Sequence, residues 1–133
     1  MKALKANVTS ALPHGTLLKT CDNSGAKIIR IISIKGQKTV KGRMPRAGVG
    51  SLILASVVDG IASMRKQVVP AVIVRQKKEY RRADGTRISF EDNAAVVLKD
   101  DKGNPKGTMM KGPIAKEVAD RYPGIAKVAT IIV

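Results

Sequence analysis

The stretch AVIVRQKKEYRRADGTRISFEDNAAVV, Ala71 to Val97, decides how this chain is read. Ala71–Val74 is a short apolar run with β-branched Val and Ile, the composition of a buried strand. Arg75, Lys77, Lys78, Arg81 and Arg82 follow, five cations within eight positions against a single acid, Glu79. Asp84-Gly85 signals a tight turn, because glycine accepts the positive φ that a hairpin turn needs. Thr86, Ile88 and Phe90 then alternate with Arg87 and Ser89, the period of a half-buried strand. Glu91-Asp92-Asn93 turns the chain again, and Ala94–Leu98 returns as a strand. The segment reads as a β-meander carrying an exposed basic arm. Five cations on one hairpin suit a polyanion binder better than a catalyst.

The flanks repeat the pattern of short strands and turns. Upstream, Thr16–Thr20 is a strand, Asp22-Asn23-Ser24-Gly25 a turn, and Lys27–Lys35 (KIIRIISIK) the longest strand. Residues 36–50, GQKTVKGRMPRAGVG, form an extended basic loop or β-ribbon. Ser51–Val58 is a strand closed by a turn at Asp59-Gly60, and Arg65 and Lys66 precede the meander. Downstream, residues 100–107 form a turn. Gly112-Pro113 opens a helix, since proline at the first helical position loses no hydrogen bond. Ile114, Val118 and Tyr122 make its apolar stripe, and Pro123-Gly124 ends it. Lys127–Val133 is a last apolar strand. Many short strands and one late helix predict a mainly β fold, a small closed β-barrel with a helical appendix. Closure would hide the sheet edges that invite aggregation.

At 133 residues the chain is one domain, 1–133, with 44% apolar residues to build its core. Its formal net charge of +15 points to nucleic acid as partner, ahead of anionic membrane. No run approaches the roughly 20 apolar residues of a membrane span. The N-terminus lacks a signal-peptide core, so a cytoplasmic location is expected. Residues 1–90 carry 18 basic and 4 acidic side chains; residues 91–133 carry 7 and 6. One polyanion-binding face in the first two thirds follows. The last third either contacts protein or is simply a solvated helix and strand.

Catalytic and metal chemistry finds little support. His14 is the sole histidine, beside Pro13 and Gly15, and reads as a loop residue. Cys21, the sole cysteine, permits no internal disulfide or cysteine metal cluster and reads as a small buried hydrophobe. Ser24-Gly25-Ala26-Lys27 has a serine-nucleophile spacing without its companion motifs. Gly48-Val49-Gly50 lacks the remaining elements of a dinucleotide or phosphate loop. Asp100-Asp101 sits in a Lys/Gly turn, where solvation is the simpler reading. No cofactor and no metal are expected.

The basic clusters resist such a bland reading, because an ordinary surface intersperses both signs. Residues 35–46 hold Lys35, Lys38, Lys41, Arg43 and Arg46 and no acid. Gly42 and Gly48 would let backbone approach a phosphate. With only Tyr80, Phe90 and Tyr122 as aromatics, the chain cannot build a base-stacking platform. Phosphate and ribose contacts to folded RNA fit best. The candidate RNA-binding residues are Lys35, Lys38, Lys41, Arg43, Arg46, Arg65, Lys66, Arg75, Lys77, Lys78, Arg81 and Arg82. A rival is a free β-barrel that coats RNA or DNA; a nuclease or ligase fragment would need a base or metal ligands that are missing.

These residues also carry a resemblance. Ala71-Val72-Ile73-Val74, then Asp84-Gly85 after nine residues, then Phe90, Asn93 and Val96-Val97, match a long and specific signature. The chain resembles the universal large-subunit ribosomal protein fourteen family in its archaeal and eukaryotic-like form. Asp22-Asn23-Ser24-Gly25-Ala26, Arg46-Ala47-Gly48-Val49-Gly50 and Gly112-Pro113-Ile114-Ala115-Lys116-Glu117 extend the likeness over nearly the whole chain. It implies a closed five-stranded β-barrel, a projecting basic β-ribbon over 35–50 and a short-helix region over 100–127. It implies a structural, non-enzymatic role on large-subunit ribosomal RNA, with small-subunit RNA touched at a bridge. Neighbouring ribosomal proteins and an anti-association factor would dock nearby, with Thr108 and Lys127 at positions resembling those such factors contact. The location implied is the large subunit of cytoplasmic ribosomes.

Overall fold

Two apolar runs without alternation, Ala71–Val74 and Ala94–Val97, set the architecture, because strands buried on both faces need a layer on each side. The computed structural model describes residues 2–37, 39–41 and 43–133. In chain order come β1 (Ala6–Asn7), β2 (Leu12–Pro13), β3 (Leu17–Thr20), β4 (Ala26–Ile34), β5 (Arg46–Ala47), β6 (Leu52–Gly60), β7 (Val68–Arg75), β8 (Tyr80–Arg82), β9 (Arg87–Ile88) and β10 (Ala94–Val97). The last third holds β11 (Pro113–Ile114), the helices α1 (Lys116–Arg121) and α2 (Pro123–Val128), and β12 (Ile131–Ile132).

Five strands close into a barrel in the order β10-β3-β4-β6-β7. Neighbours are antiparallel except β10 and β3, which run parallel through Ala94↔Lys19 and Ala95↔Thr20. Register shifts along β4 and β6 bend the long pair, as closure of so narrow a sheet requires. Leu18, Ile29, Ile31, Ile53, Ala55, Val57, Ala71, Ile73, Ala95 and Val97 fill the interior. The other faces of β7 and β10 present Val72, Val74, Ala94 and Val96 to a second cluster with Tyr80, Ile114, Val118, Tyr122 and Ile125. Ala71–Val74 and Ala94–Val97 are therefore 0% exposed at every position. Each fully buried Val or Ile contributes about 1.5–3 kcal/mol.

The predicted barrel is present, and several local expectations are corrected. Asp59-Gly60 is the end of β6 rather than a turn; a Cβ on Gly60 would lie 2.5 Å from the Gly25 carbonyl oxygen, so glycine serves a close strand crossing. The turn falls at 61–66 instead, with Lys66 at φ 63°. The ribbon expected over 35–50 shrinks to the two-residue pairing of β5 with β2. Gly36 at φ 83° and Lys41 at φ 55° break extended backbone there, and Pro45 offers no N–H. Lys38 and Gly42 lie outside the described residues.

Pro113 does not open a helix, because Pro113–Ile114 pairs in parallel with Ile131–Ile132. Pro123-Gly124 does not end one: Pro123 is the first residue of α2, where its missing N–H costs nothing. The apolar stripe is buried as expected, with Ile114 and Val118 at 0% and Tyr122 at 2% exposed. Lys127 belongs to α2, which shortens the final strand to Ile131–Ile132. Ile73 and Val96, in the two apolar runs, are fully buried, while Phe90, at the end of the alternating stretch, is only half-buried at the edge of the second cluster.

Candidate RNA interface

Lys35, Lys41 and Arg43 on the loop after β4, and Arg46 at the start of β5, all face solvent. Lys35 Nζ lies 3.2 Å from Asp101 Oδ2, but both side chains are exposed, so the pair is weak and exchangeable. The Arg46 N–H donates to Gln37 Oε1 at 3.1 Å, which folds the loop back on itself. Gly48 is buried, and a Cβ there would sit 3.0 Å from Val8 Cγ1 and Gln76 Oε1. Its small size serves packing against the N-terminal arm, not the approach of a phosphate.

The hairpin cluster divides. Lys77, Lys78 and Arg81 are exposed, but Arg75 and Arg82 turn inward. Arg75 Nε and Nη2 donate to the two oxygens of Asp92 at 2.9 and 3.2 Å, and Nη1 donates to the Lys111 and Pro113 carbonyls. Arg82 Nε donates to Glu117 Oε1 at 2.7 Å; Glu117 Oε2 accepts from Tyr80 at 2.8 Å and from Arg82 Nη2 at 3.3 Å. Burial works against the charge on Arg82, but its hydrogen bonds to Glu117 and the charge of that carboxylate outweigh it and raise its pKa. Burial, with the bond to Glu117, also raises the Tyr80 phenol. The expectation that all five cations stand outward is thus corrected. Two of them join strand β7 and hairpin β8–β9 to the C-terminal region.

The N-terminal arm brings the two exposed sets near each other. β1 is the third strand of a sheet with β8 and β9, pairing Asn7 with Arg81. On its other side, Ala6 and Asn7 share a cavity wall with Lys35 and Gln37. Buried Gln76 fastens the arm: its Nε2 donates to the carbonyls of Thr9 and Lys78, and its Oε1 accepts from the Val49 N–H. Arg65 and Lys66 stand apart. Lys66 N–H bonds to the Val57 carbonyl and Lys35 N–H to the Leu52 carbonyl. Those acceptors are five residues apart on one strand, about 16 Å at strand rise. Arg65 also donates from Nε to the Gly60 carbonyl at 2.9 Å.

Three exposed cations of the barrel wall, Lys19, Lys27 and Arg30, were not among the expected contacts. Strand alternation within β3 and β4 was the signal that could have exposed them. Thr108 is exposed, with its Oγ accepting from Asn23 Nδ2 at 3.0 Å, and Lys127 is exposed on α2. His14 sits exposed in a turn. Cys21 is buried, which pushes its thiol up to about 11. Burial also raises the neighbouring Asp22, whose carboxylate accepts from Ser24 Oγ and from the Val97 N–H. Ser24 is thus a turn residue. Asp100 likewise closes its own loop, accepting from the Lys102 N–H and Asn104 Nδ2. Among the described residues no three His, Cys, Asp or Glu side chains are grouped to hold a metal, and no helix is long and apolar enough to cross a membrane.

A family model described as ribosomal protein L14p/L23e matches residues 11–133. The chain belongs to this family. Among similar proteins are the large ribosomal subunit proteins uL14 of Nanoarchaeum equitans, 55% identical over 133 residues, and of Halobacterium salinarum, 52% identical over 133 residues, each covering 100% of both chains. The uL14 of Methanococcus maripaludis is 51% identical over 132 residues, 99% of each chain. The L14p/L23e family is structural rather than enzymatic, consistent with the use of Asp22, Ser24 and Asp100 as turn residues in this chain. Its first ten residues lie outside the matched span, yet they supply β1 and the contacts of the arm with the hairpin.

Proposed function

We propose that this chain is a structural constituent of the large ribosomal subunit that binds ribosomal RNA. Lys35, Lys38, Lys41, Arg43 and Arg46 of the loop and Lys77, Lys78 and Arg81 of the hairpin supply phosphate contacts, with Arg65 and Lys66 as a separate foothold. The observation that carries the reading is likeness to large-subunit proteins over the full chain, joined to a +15 charge of which Lys35, Lys41, Arg43, Arg46, Lys77, Lys78 and Arg81 stand in solvent. Arg75 and Arg82 serve the site indirectly by fixing the hairpin. The same reading places the chain at the intersubunit interface, touching small-subunit RNA. The nearly neutral last third, with exposed Thr108 and Lys127, would receive neighbouring ribosomal proteins and an anti-association factor.

Sucrose-gradient fractionation of a native lysate at moderate and high salt tests the reading. Comigration with large subunits through the high-salt wash is the expected result. Recovery at the top of the gradient would reject it in favour of a free barrel that coats nucleic acid, with a uniform salt slope on any polyanion.

A further inference from the structure

Three arginines among the described residues are half-buried: Arg75, Arg82 and Arg121. A guanidinium taken partly out of water needs a counter-charge and filled hydrogen bonds. Arg75 has Asp92 and Arg82 has Glu117. Arg121 has no carboxylate partner among the described residues. Its Nη1 donates to the Gly50 carbonyl at 3.3 Å, its guanidinium lies 5.9 Å from the Tyr122 ring centre, and its buried Nε has no hydrogen-bond partner among the described residues.

Arg121 lines a cavity of about 570 Å³, within the range of sites that seat small molecules. The wall carries one other cation, Lys35, whose exposed pairing with Asp101 outside the wall is exchangeable, with the polar side chains of Asn7, Ser10, Gln37 and Ser51, and no acid in the wall itself. Aliphatic side chains complete it. Positive charge, several neutral donors and acceptors, and an apolar wall suit a phosphate joined to a sugar or base. They do not suit a metal or a cationic ligand. Lys35, Gly36 and Gln37 belong both to the cavity wall and to the basic loop, so the two are continuous.

We propose that this cavity seats one nucleotide of the bound RNA, its phosphate held by Arg121 and Lys35. The inference rests on the RNA-binding reading and deepens it, because it makes a residue of the near-neutral last third part of the RNA site. A bidentate guanidinium–phosphate contact would supply the anion that the geometry around Arg121 lacks.

The test is a titration of the full-length protein with uridine 5′-monophosphate, followed by NMR of arginine Nε–Hε and of Asn and Gln side-chain amides. Uridine and inorganic phosphate serve as controls. Expected are saturable millimolar shifts at Arg121, Asn7 and Gln37, weaker with phosphate and absent with uridine. Arg121→Gln should weaken binding at least tenfold, Arg121→Lys less, and the exposed Lys35→Gln a few-fold with the fold intact. Shifts confined to the surface lysines, or equal shifts with uridine, would overturn the proposal, as would capture of an acidic peptide in place of the nucleotide. A wild-type chain that rides on large subunits but shows no cavity shifts would reject only the nucleotide seat. A chain absent from subunits would reject the RNA reading, and with it the RNA source of the nucleotide.

Discussion

Replacing Arg82 with alanine should destabilise the protein by about 3 kcal/mol, while Arg81→Ala should stay within about 0.5 kcal/mol. The two residues are adjacent in sequence and opposite in environment. Glu117 is 6% exposed and accepts three hydrogen bonds, two of them from Arg82. Removing Arg82 leaves a buried carboxylate with Tyr80 alone. Loss of one member of a buried pair costs about 3–5 kcal/mol, and the 18% exposure of the Arg82 side chain places this case at the lower end. A loss of about 3 kcal/mol lowers the melting temperature of a domain this size by about 10 °C. Urea denaturation of the two single variants measures the difference directly, and filter binding to large-subunit RNA at fixed salt separates stability from affinity. Arg82→Met with Glu117→Leu and Tyr80→Phe should recover most of the loss, since neither a charge nor the Tyr80 hydroxyl is then stranded. The reasoning fails if Arg82→Ala costs under 1 kcal/mol, or if Arg81→Ala costs as much as Arg82→Ala.

Further outcomes follow from other residues. Gln76→Leu strips partners from the Val49 N–H and the Thr9 and Lys78 carbonyls; a loss of about 3 kcal/mol and earlier proteolytic release of the N-terminal arm are expected. Burial pushes the Cys21 thiol from its ordinary 9.0 up to about 11, so the folded state holds its proton longer than the unfolded state. That contribution is fully present below pH 9 and is lost as pH rises toward 11, a slope that Cys21→Ala should remove from pH-dependent melts. The same thiol should resist a thiol reagent at pH 8 until denaturant is added. Lys41→Gln and Arg43→Gln should each lower the slope of log affinity against log salt by about 0.7–0.9, whereas a destabilised but folded Arg75 variant should leave the slope unchanged.

The barrel was legible because its evidence is local. Turn residues and β-branched runs fall at strand spacing, and Ala71–Val74 and Ala94–Val97 lack alternation because each is covered on both sides. Errors gathered where the third dimension decides. Gly60 looks like a turn glycine, yet the nearby Gly25 carbonyl explains it. Pro123 looks like a stop, yet it starts α2 because the chain has already turned at Tyr122. For the site, charge density gave the clusters but not the direction of each side chain. Arg75 and Arg82 meet Asp92 and Glu117, 17 and 35 residues away, and no window along the sequence contains the second pair. Arg121 escaped as well, because its interest lies in a carboxylate partner that none of the described residues supplies.

The parallel pairing of β10 with β3 also constrains how the chain is made. Thr20 and Ala95 sit side by side in the closed barrel, yet 75 residues separate them. At synthesis rates of about 5–20 residues per second, roughly 4–15 s pass between the making of β3 and the arrival of its last neighbour. Until then the nascent barrel has two open strand edges and a strongly cationic body. Both invite premature partners, the edges by strand addition and the charge by any nearby polyanion. A chaperone that covers the β3 edge, or masks the basic loop until residue 97 has emerged, would protect an interval that this topology makes unavoidable.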